Sequence, residues 1–161
     1  MKKSFQLLAV MTVLPLVVLC LPRPSAGGTD EDRIQAMLKH YSDSLERHDF
    51  TDHLSCFAEE VQWFDKALTR PALGDLLRIT VFNKYYGMYL GFSNINTYTA
   101  GSSAYVVADK QWRFCGEKQA FCGQVRSRIG FTKEQGEWKI SSMKDLKTYW
   151  SSKKMRMCCG D

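Results

Sequence analysis

The sequence is short of the residues that most often build metal and nucleophile sites. Its 161 residues include three histidines, His40, His48 and His53, and no two of them are spaced i, i+4. No C-x-x-C is present, and the histidines lie far in sequence from Cys115 and Cys122, so zinc is a poor expectation and no metal or cofactor is expected. The three histidines read as surface or capping residues. No G-x-S-x-G elbow supports a nucleophile–base arrangement. No internal repeat appears, and no low-complexity segment follows residues 22–28.

A strong excess of one charge is also missing once the N-terminus is set aside. Lys2 and Lys3 precede an apolar run from Phe5 to Leu21, and small residues follow at Ser25, Ala26, Gly27 and Gly28. That order is a secretory signal over residues 1–27, with cleavage after Ala26 or Gly27. The alternatives are an uncleaved anchor and a lipoprotein at Cys20. The run is about 17 residues with an internal Pro15, at the lower edge of what spans a bilayer, so no stable membrane anchor is expected. Cys20 follows Leu19, where lipoprotein signals carry a small residue. Losing Lys2, Lys3 and Arg23 takes 22 basic residues to 19 against 17 acidic, a net of +2. This balance gives no electrostatic case for nucleic acid or an anionic membrane. The expected location is secreted or periplasmic.

Export permits disulfides. Five cysteines remain after the signal: Cys56, Cys115, Cys122, Cys158 and Cys159. In "FCGEKQAFCG", strand-like residues flank a Gly-Glu-Lys-Gln loop, and a Cys115–Cys122 bridge across a hairpin is the expected pair. The odd count leaves a thiol free or paired between chains, and the pairing of Cys56, Cys158 and Cys159 stays open.

Three helices come first. Over Asp30–His48, the residues Ile34, Met37, Leu38, Tyr41 and Leu45 form one apolar stripe, with Thr29 as N-cap. A short helix is expected from about Thr51 to Glu59, then a strand at Val61–Phe64. A third helix begins at Pro71 and continues toward Tyr86. From Met88 the period changes toward two. Four strands follow, "MYLGFSNINTYTA", "SAYVVADKQWRFC", "AFCGQVRSRIGFT" and "EWKISSMKDLKTYW". Helices followed by a meander of long strands is an α+β pattern, a curled antiparallel sheet wrapped around three N-terminal helices. The organisation is a signal at 1–27, one domain at 28–150 and a basic, cysteine-containing tail at 151–161.

The segment "HYSDSLERHDFTDHLSCFAEEVQWFD" carries a helix with an inward tyrosine, an Asp-containing turn, a second helix ending in Phe-Ala-acid-acid, and a strand. In this it resembles the nuclear transport factor 2-like superfamily, with its ketosteroid isomerase and SnoaL-like polyketide cyclase branches. The resemblance covers roughly residues 30–150. It implies a cone-shaped fold with a pocket between sheet and helices, and a homodimer through the open face of the sheet. It also implies roles: Tyr41 as a hydrogen-bond donor to an oxyanion and Asp65 as a proton-shuttling base. The third acid of the isomerases aligns with Ser127, which is not an acid.

Asp65 follows two rings, Trp63 and Phe64. With period-two alternation it shares a side with Trp63, so an inward Trp63 brings Asp65 to the rim or floor of the pocket opposite Tyr41. The other reading of Asp65 is a polar residue opening a turn. Trp63, Tyr105, Trp112, Ser127, Phe131 and Trp138 are the expected ligand-binding side chains. The expected function is an exported, non-catalytic module that binds a small apolar molecule or a protein partner through the pocket or the sheet. The alternative is a cofactor-independent isomerase- or cyclase-like enzyme using Asp65 and Tyr41.

Overall fold

A computed structural model describes residues 28–159, so the expected signal at 1–27 lies outside the described residues. The helix α1 spans Asp30–Glu46 and opens with a capping box. Thr29 Oγ1 accepts from the Asp32 amide at 3.2 Å, and the Asp32 carboxylate accepts from the Thr29 amide at 2.9 Å. Its stripe of Ile34, Leu38, Tyr41 and Leu45 is buried, as the spacing predicts. His48 takes φ 59° and turns the chain into α2, Phe50–Ser55, capped by Asp49.

Here the sequence reading needs correction. The expected helix to Glu59 stops at Ser55, and the next segment is already strand β1, Phe57–Trp63. Phe57, Ala58 and Val61 are buried while Glu59 and Glu60 are exposed, a pattern that reads ambiguously between the two periods. An unanticipated strand β2, Lys66–Thr69, pairs back on β1. Thr69 caps α3, Arg70–Leu77, with Pro71 in its first turn, and the chain continues as a π-helical turn, Arg78–Phe82.

The four long strands fall where the alternation puts them: β3 Gly87–Ala100, β4 Ser103–Cys115, β5 Ala120–Glu134 and β6 Glu137–Ser152. The β5–β6 turn places Gln135 and Gly136 at φ 52° and 86°, where glycine costs least. The sheet order is β2-β1-β6-β5-β4-β3, with all pairs antiparallel except β1 against β6. The sheet is therefore mixed. Its curled inner face meets the helices, and one core joins α1, α3 and the inner residues of all four long strands.

The cysteines of the segment after β6 are bonded into the fold. A short helix α4, Met155–Cys159, is joined by disulfides to β4 (Cys115–Cys159) and β5 (Cys122–Cys158). This overturns the Cys115–Cys122 pairing. The β4–β5 register sets Cys115 opposite Ala120 and Cys122 opposite Arg113, so neither cysteine faces the other across the hairpin. Cys56 is a free, buried thiol, and its burial pushes it up to about 12. Among the described residues no helix is long and apolar enough to cross a membrane.

Candidate functional site

Between the inner sheet face and the helices lies a cavity of about 390 Å³. Its walls are mostly apolar, with Leu45 of α1, Leu77 of α3, Leu90 of β3, Trp63 and Phe64 at the end of β1, and Trp112 and Phe114 of β4. A larger, more open groove of about 1070 Å³ crosses the outer face of the sheet beside Tyr98, Tyr105 and Arg128. The cavity is the candidate site because polar groups converge inside an apolar wall there, the usual make-up of a small-molecule pocket.

Those polar groups come from a diagonal across three strands. Lys110 of β4 belongs to the inward series Val106, Ala108, Lys110, Trp112, and its side chain is only 10% exposed. Its Nζ donates to Asp145 Oδ1 of β6 at 2.9 Å. From the strand between them, Ser127 Oγ donates to the same Oδ1 at 2.7 Å. The ammonium also lies 5.6 Å from the Phe64 ring centroid and 5.7 Å from that of Trp112, where ring faces favour a cation. The pair as a whole is neutral, with one carboxylate balancing one ammonium. Asp145 Oδ2 has no partner among the described residues.

The helix side supplies Tyr41 and His53. Tyr41 is 5% exposed and lines the cavity, and its hydroxyl makes no hydrogen bond among the described residues. Burial first, and then the nearby Cys56 thiol and Asp145 carboxylate, which disfavour a second negative charge beside them, raise its pKa beyond the usual tyrosine range, so it stays a neutral donor. The His53 ring stacks on Tyr41 with centroids 4.5 Å apart, and burial lowers its pKa to about 4. The Trp112 indole Nε1 is buried without a hydrogen-bond partner. Among the described residues no group of three or more His, Cys, Asp or Glu side chains is placed to hold a metal ion.

Several sequence expectations change at this point. Asp65 does not reach the cavity. It is exposed in the two-residue turn between β1 and β2. Alternation fails there because the strand ends at Trp63 and Phe64 adopts φ 53°, reversing the chain before Asp65. Tyr41, Trp63 and Trp112 do line the cavity. Ser127 is fully buried beneath Asp145 and acts through it. Phe131 and Trp138 belong to the core, with Trp138 Nε1 donating to Asp30. Tyr105 is on the outer face, stacked on Tyr98 and under Arg128. His53, expected as a surface or capping residue, is 1% exposed. Lys110 and Asp145 were missed. Lys110 was signalled by a charge at an inward position of an apolar alternation. Asp145 was hidden by the register shifts along β5–β6.

By sequence, no protein-family model and no curated protein gives a match. Solved structures do match. A candidate scytalone dehydratase from Novosphingobium aromaticivorans is 19% identical with a TM-score of 0.64, over 77% of this chain and 87% of that one. A candidate dehydratase of the nuclear transport factor 2-like family from Streptomyces avermitilis is 15% identical with a TM-score of 0.64, over 74% and 96%. The chain has the nuclear transport factor 2-like fold. A hexachlorocyclohexane dehydrochlorinase, LinA type 2, shares the same architecture at 11% identity and a TM-score of 0.65, over 77% and 88%. In the nuclear transport factor 2-like cone of this chain, the Lys110–Asp145–Ser127 diagonal lies on the sheet wall and Tyr41–His53 on the helix wall.

Proposed function

We propose that the protein binds a small, flat, largely apolar molecule in the cone cavity and anchors an acceptor oxygen of it at Lys110 and Tyr41. The observation that carries this reading is a buried ammonium aimed among rings in an apolar cavity, with its charge already balanced by Asp145. A neutral carbonyl compound suits such a site better than an anion, because the pair has no net charge to offer. Titration with 2-acetylnaphthalene, followed by the fluorescence of Trp63 and Trp112, tests it. Lys110→Met is expected to weaken binding by roughly ten- to a hundredfold, the range for losing a hydrogen bond from a charged donor. Undiminished affinity in that variant sinks the reading.

A second reading is proton-transfer chemistry at the same place. The unpartnered Asp145 Oδ2 beside a donor-rich pocket favours it. So does the fold shared with a dehydrochlorinase and candidate dehydratases. In this version Asp145, not Asp65, is the base, with Lys110 and Tyr41 stabilising the developing oxyanion. Asp145→Asn would abolish turnover of an ionisable ketone while leaving its binding within a few-fold. Export to an oxidising compartment belongs to this proposal, supported by two disulfides and the residue pattern of 1–27. Mass spectrometry of the N-terminus of the secreted protein tests that part, and retention of Met1 to Leu21 overturns it.

A further inference from the structure

We propose that His53 is a ligand-contact residue whose Nε2 accepts a hydrogen bond from a hydroxyl of the bound molecule, so that the cavity selects ring compounds bearing a phenol or enol O–H. This rests on the cavity-binding reading above and adds a second anchor on the opposite wall.

The argument starts from the other ring nitrogen. His53 Nδ1 lies 3.2 Å from the Tyr41 backbone oxygen and 3.1 Å from Ser44 Oγ. A carbonyl only accepts. The Ser44 hydroxyl hydrogen is directed to the same Tyr41 oxygen, at 3.0 Å, so Ser44 turns a lone pair toward the imidazole. Both atoms facing Nδ1 therefore need a donor, which assigns the proton to Nδ1. Nε2 is left as a bare lone pair. It makes no hydrogen bond among the described residues, although His53 is 1% exposed and lines the cavity. Nε2 is not one of the fully enclosed polar atoms without a partner, so it opens on the cavity and a donor can reach it there. The ring is held in that orientation, because Tyr41 stacks on one side and Phe57 and Phe82 pack against it with centroids 5.7 and 5.5 Å away. A ligand hydroxyl in the cavity supplies the missing donor.

The sheet wall is built the other way, presenting the Lys110 ammonium, with the Tyr41 hydroxyl as a further donor from α1. A molecule with an acceptor oxygen and a hydroxyl on one flat frame would satisfy both walls. Asp145 Oδ2 is the competing acceptor for that hydroxyl, and the test separates the two.

The probes are 2-naphthol and naphthalene, titrated into the wild-type protein and into His53→Asn by tryptophan fluorescence. The asparagine amide overlays Nδ1, so it keeps donating to the Tyr41 carbonyl while removing Nε2. Wild type is expected to prefer 2-naphthol by about three- to tenfold, the worth of one neutral hydrogen bond. His53→Asn is expected to bind both probes alike and naphthalene within about twofold of wild type, with an unchanged circular dichroism spectrum. Asp145→Asn is expected to keep the preference. If His53→Asn retains the preference, or wild type shows none while binding both probes, this assignment is overturned and cavity binding stands. If neither probe binds wild type, both fall. Should His53→Asn misfold, His53→Phe, which keeps a ring stacked on Tyr41 and carries no acceptor, takes its place, and a loss of discrimination beyond naphthalene's own change is again required.

Discussion

Removing the two disulfides one at a time and then together is expected to give losses that do not add. Cys115–Cys159 closes a chain separation of 44 residues and Cys122–Cys158 one of 36. Taken singly, each closure restrains the unfolded chain by about 4 kcal/mol. The second bond, however, forms within a chain the first has already closed. The two separations differ by 8 residues, so the ring left to close runs from Cys115 to Cys122 and across the adjacent Cys158 and Cys159. A ring of about eight residues is worth about 2.5 kcal/mol, and the pair together about 6.5. Cys115→Ala/Cys159→Ala and Cys122→Ala/Cys158→Ala should therefore each cost about 2.5 kcal/mol, and the quadruple variant about 6.5. Urea unfolding at fixed pH, with Cys56 intact throughout, gives all three numbers from midpoints and slopes. Single-pair losses near 4 kcal/mol that sum to the quadruple loss would refute the shared-ring argument.

Stability should fall as the pH drops from about 6.5 to 4, because His53 is held neutral in the fold at a pKa near 4 and titrates near 6.5 when unfolded. Its surroundings set that shift: burial dominates, the Tyr41 carbonyl and the Asp52 carboxylate oppose it, and His40 adds to it, with Ser44 and the neutral Tyr41 and Cys56 also packed close. The loss approaches about 3 kcal/mol at the acid end, and His53→Asn should flatten that part of a stability–pH profile; an unchanged slope contradicts the assignment. Asp109 is held low by Asn94, Arg126 and Tyr149, so its contribution is present above about pH 4 and disappears below it, and Asp109→Asn should remove that acid limb. Gly123→Ala would put a Cβ 2.5 Å from the Trp112 ring and 2.7 Å from the Trp150 backbone oxygen, and should destabilise by about 2 kcal/mol or more in thermal melts. Ser127→Ala removes a donor from Asp145 and should cost about 1 kcal/mol, with ligand affinity changed less than by Lys110→Met.

The long strands were readable because their alternation is undisturbed for many residues, and α1 because its stripe and cap agree. The regions that misled are those where local and tertiary signals part. Phe57–Glu60 has helix-like composition, yet Phe57 pairs with Ile140 of β6, some eighty residues away, which no local window contains. Asp65 was misplaced by one residue's backbone, the left-handed Phe64. Tyr41 was found because it shares a stripe with core leucines. His53 was judged by its polarity alone, whereas stacking on Tyr41 and the Ser44 hydroxyl make its burial tolerable. The cysteine pairing was misjudged because nearness along the chain was taken for nearness in the hairpin, and the register sets the two cysteines off by two rungs.

The adjacency of Cys158 and Cys159 has a consequence for assembly order. Both strand cysteines are made well before either partner, and they are nearer to each other in the chain than to those partners. A nascent chain in an oxidising medium can thus close Cys115 on Cys122 first, in a loop the finished hairpin register does not hold. Escape requires thiol–disulfide exchange with the late-arriving pair, on a scale of seconds to hours. Two neighbouring thiols suit such an escape: one attacks the trapped bond and releases the other strand cysteine as a thiol, and a separate two-electron oxidation by the oxidising medium then joins that thiol to the second. The helix α4 then acts as a chemical proofreader of the β4–β5 register, since only a chain extended through β6 can carry the sulfurs that lock the hairpin in its native pairing.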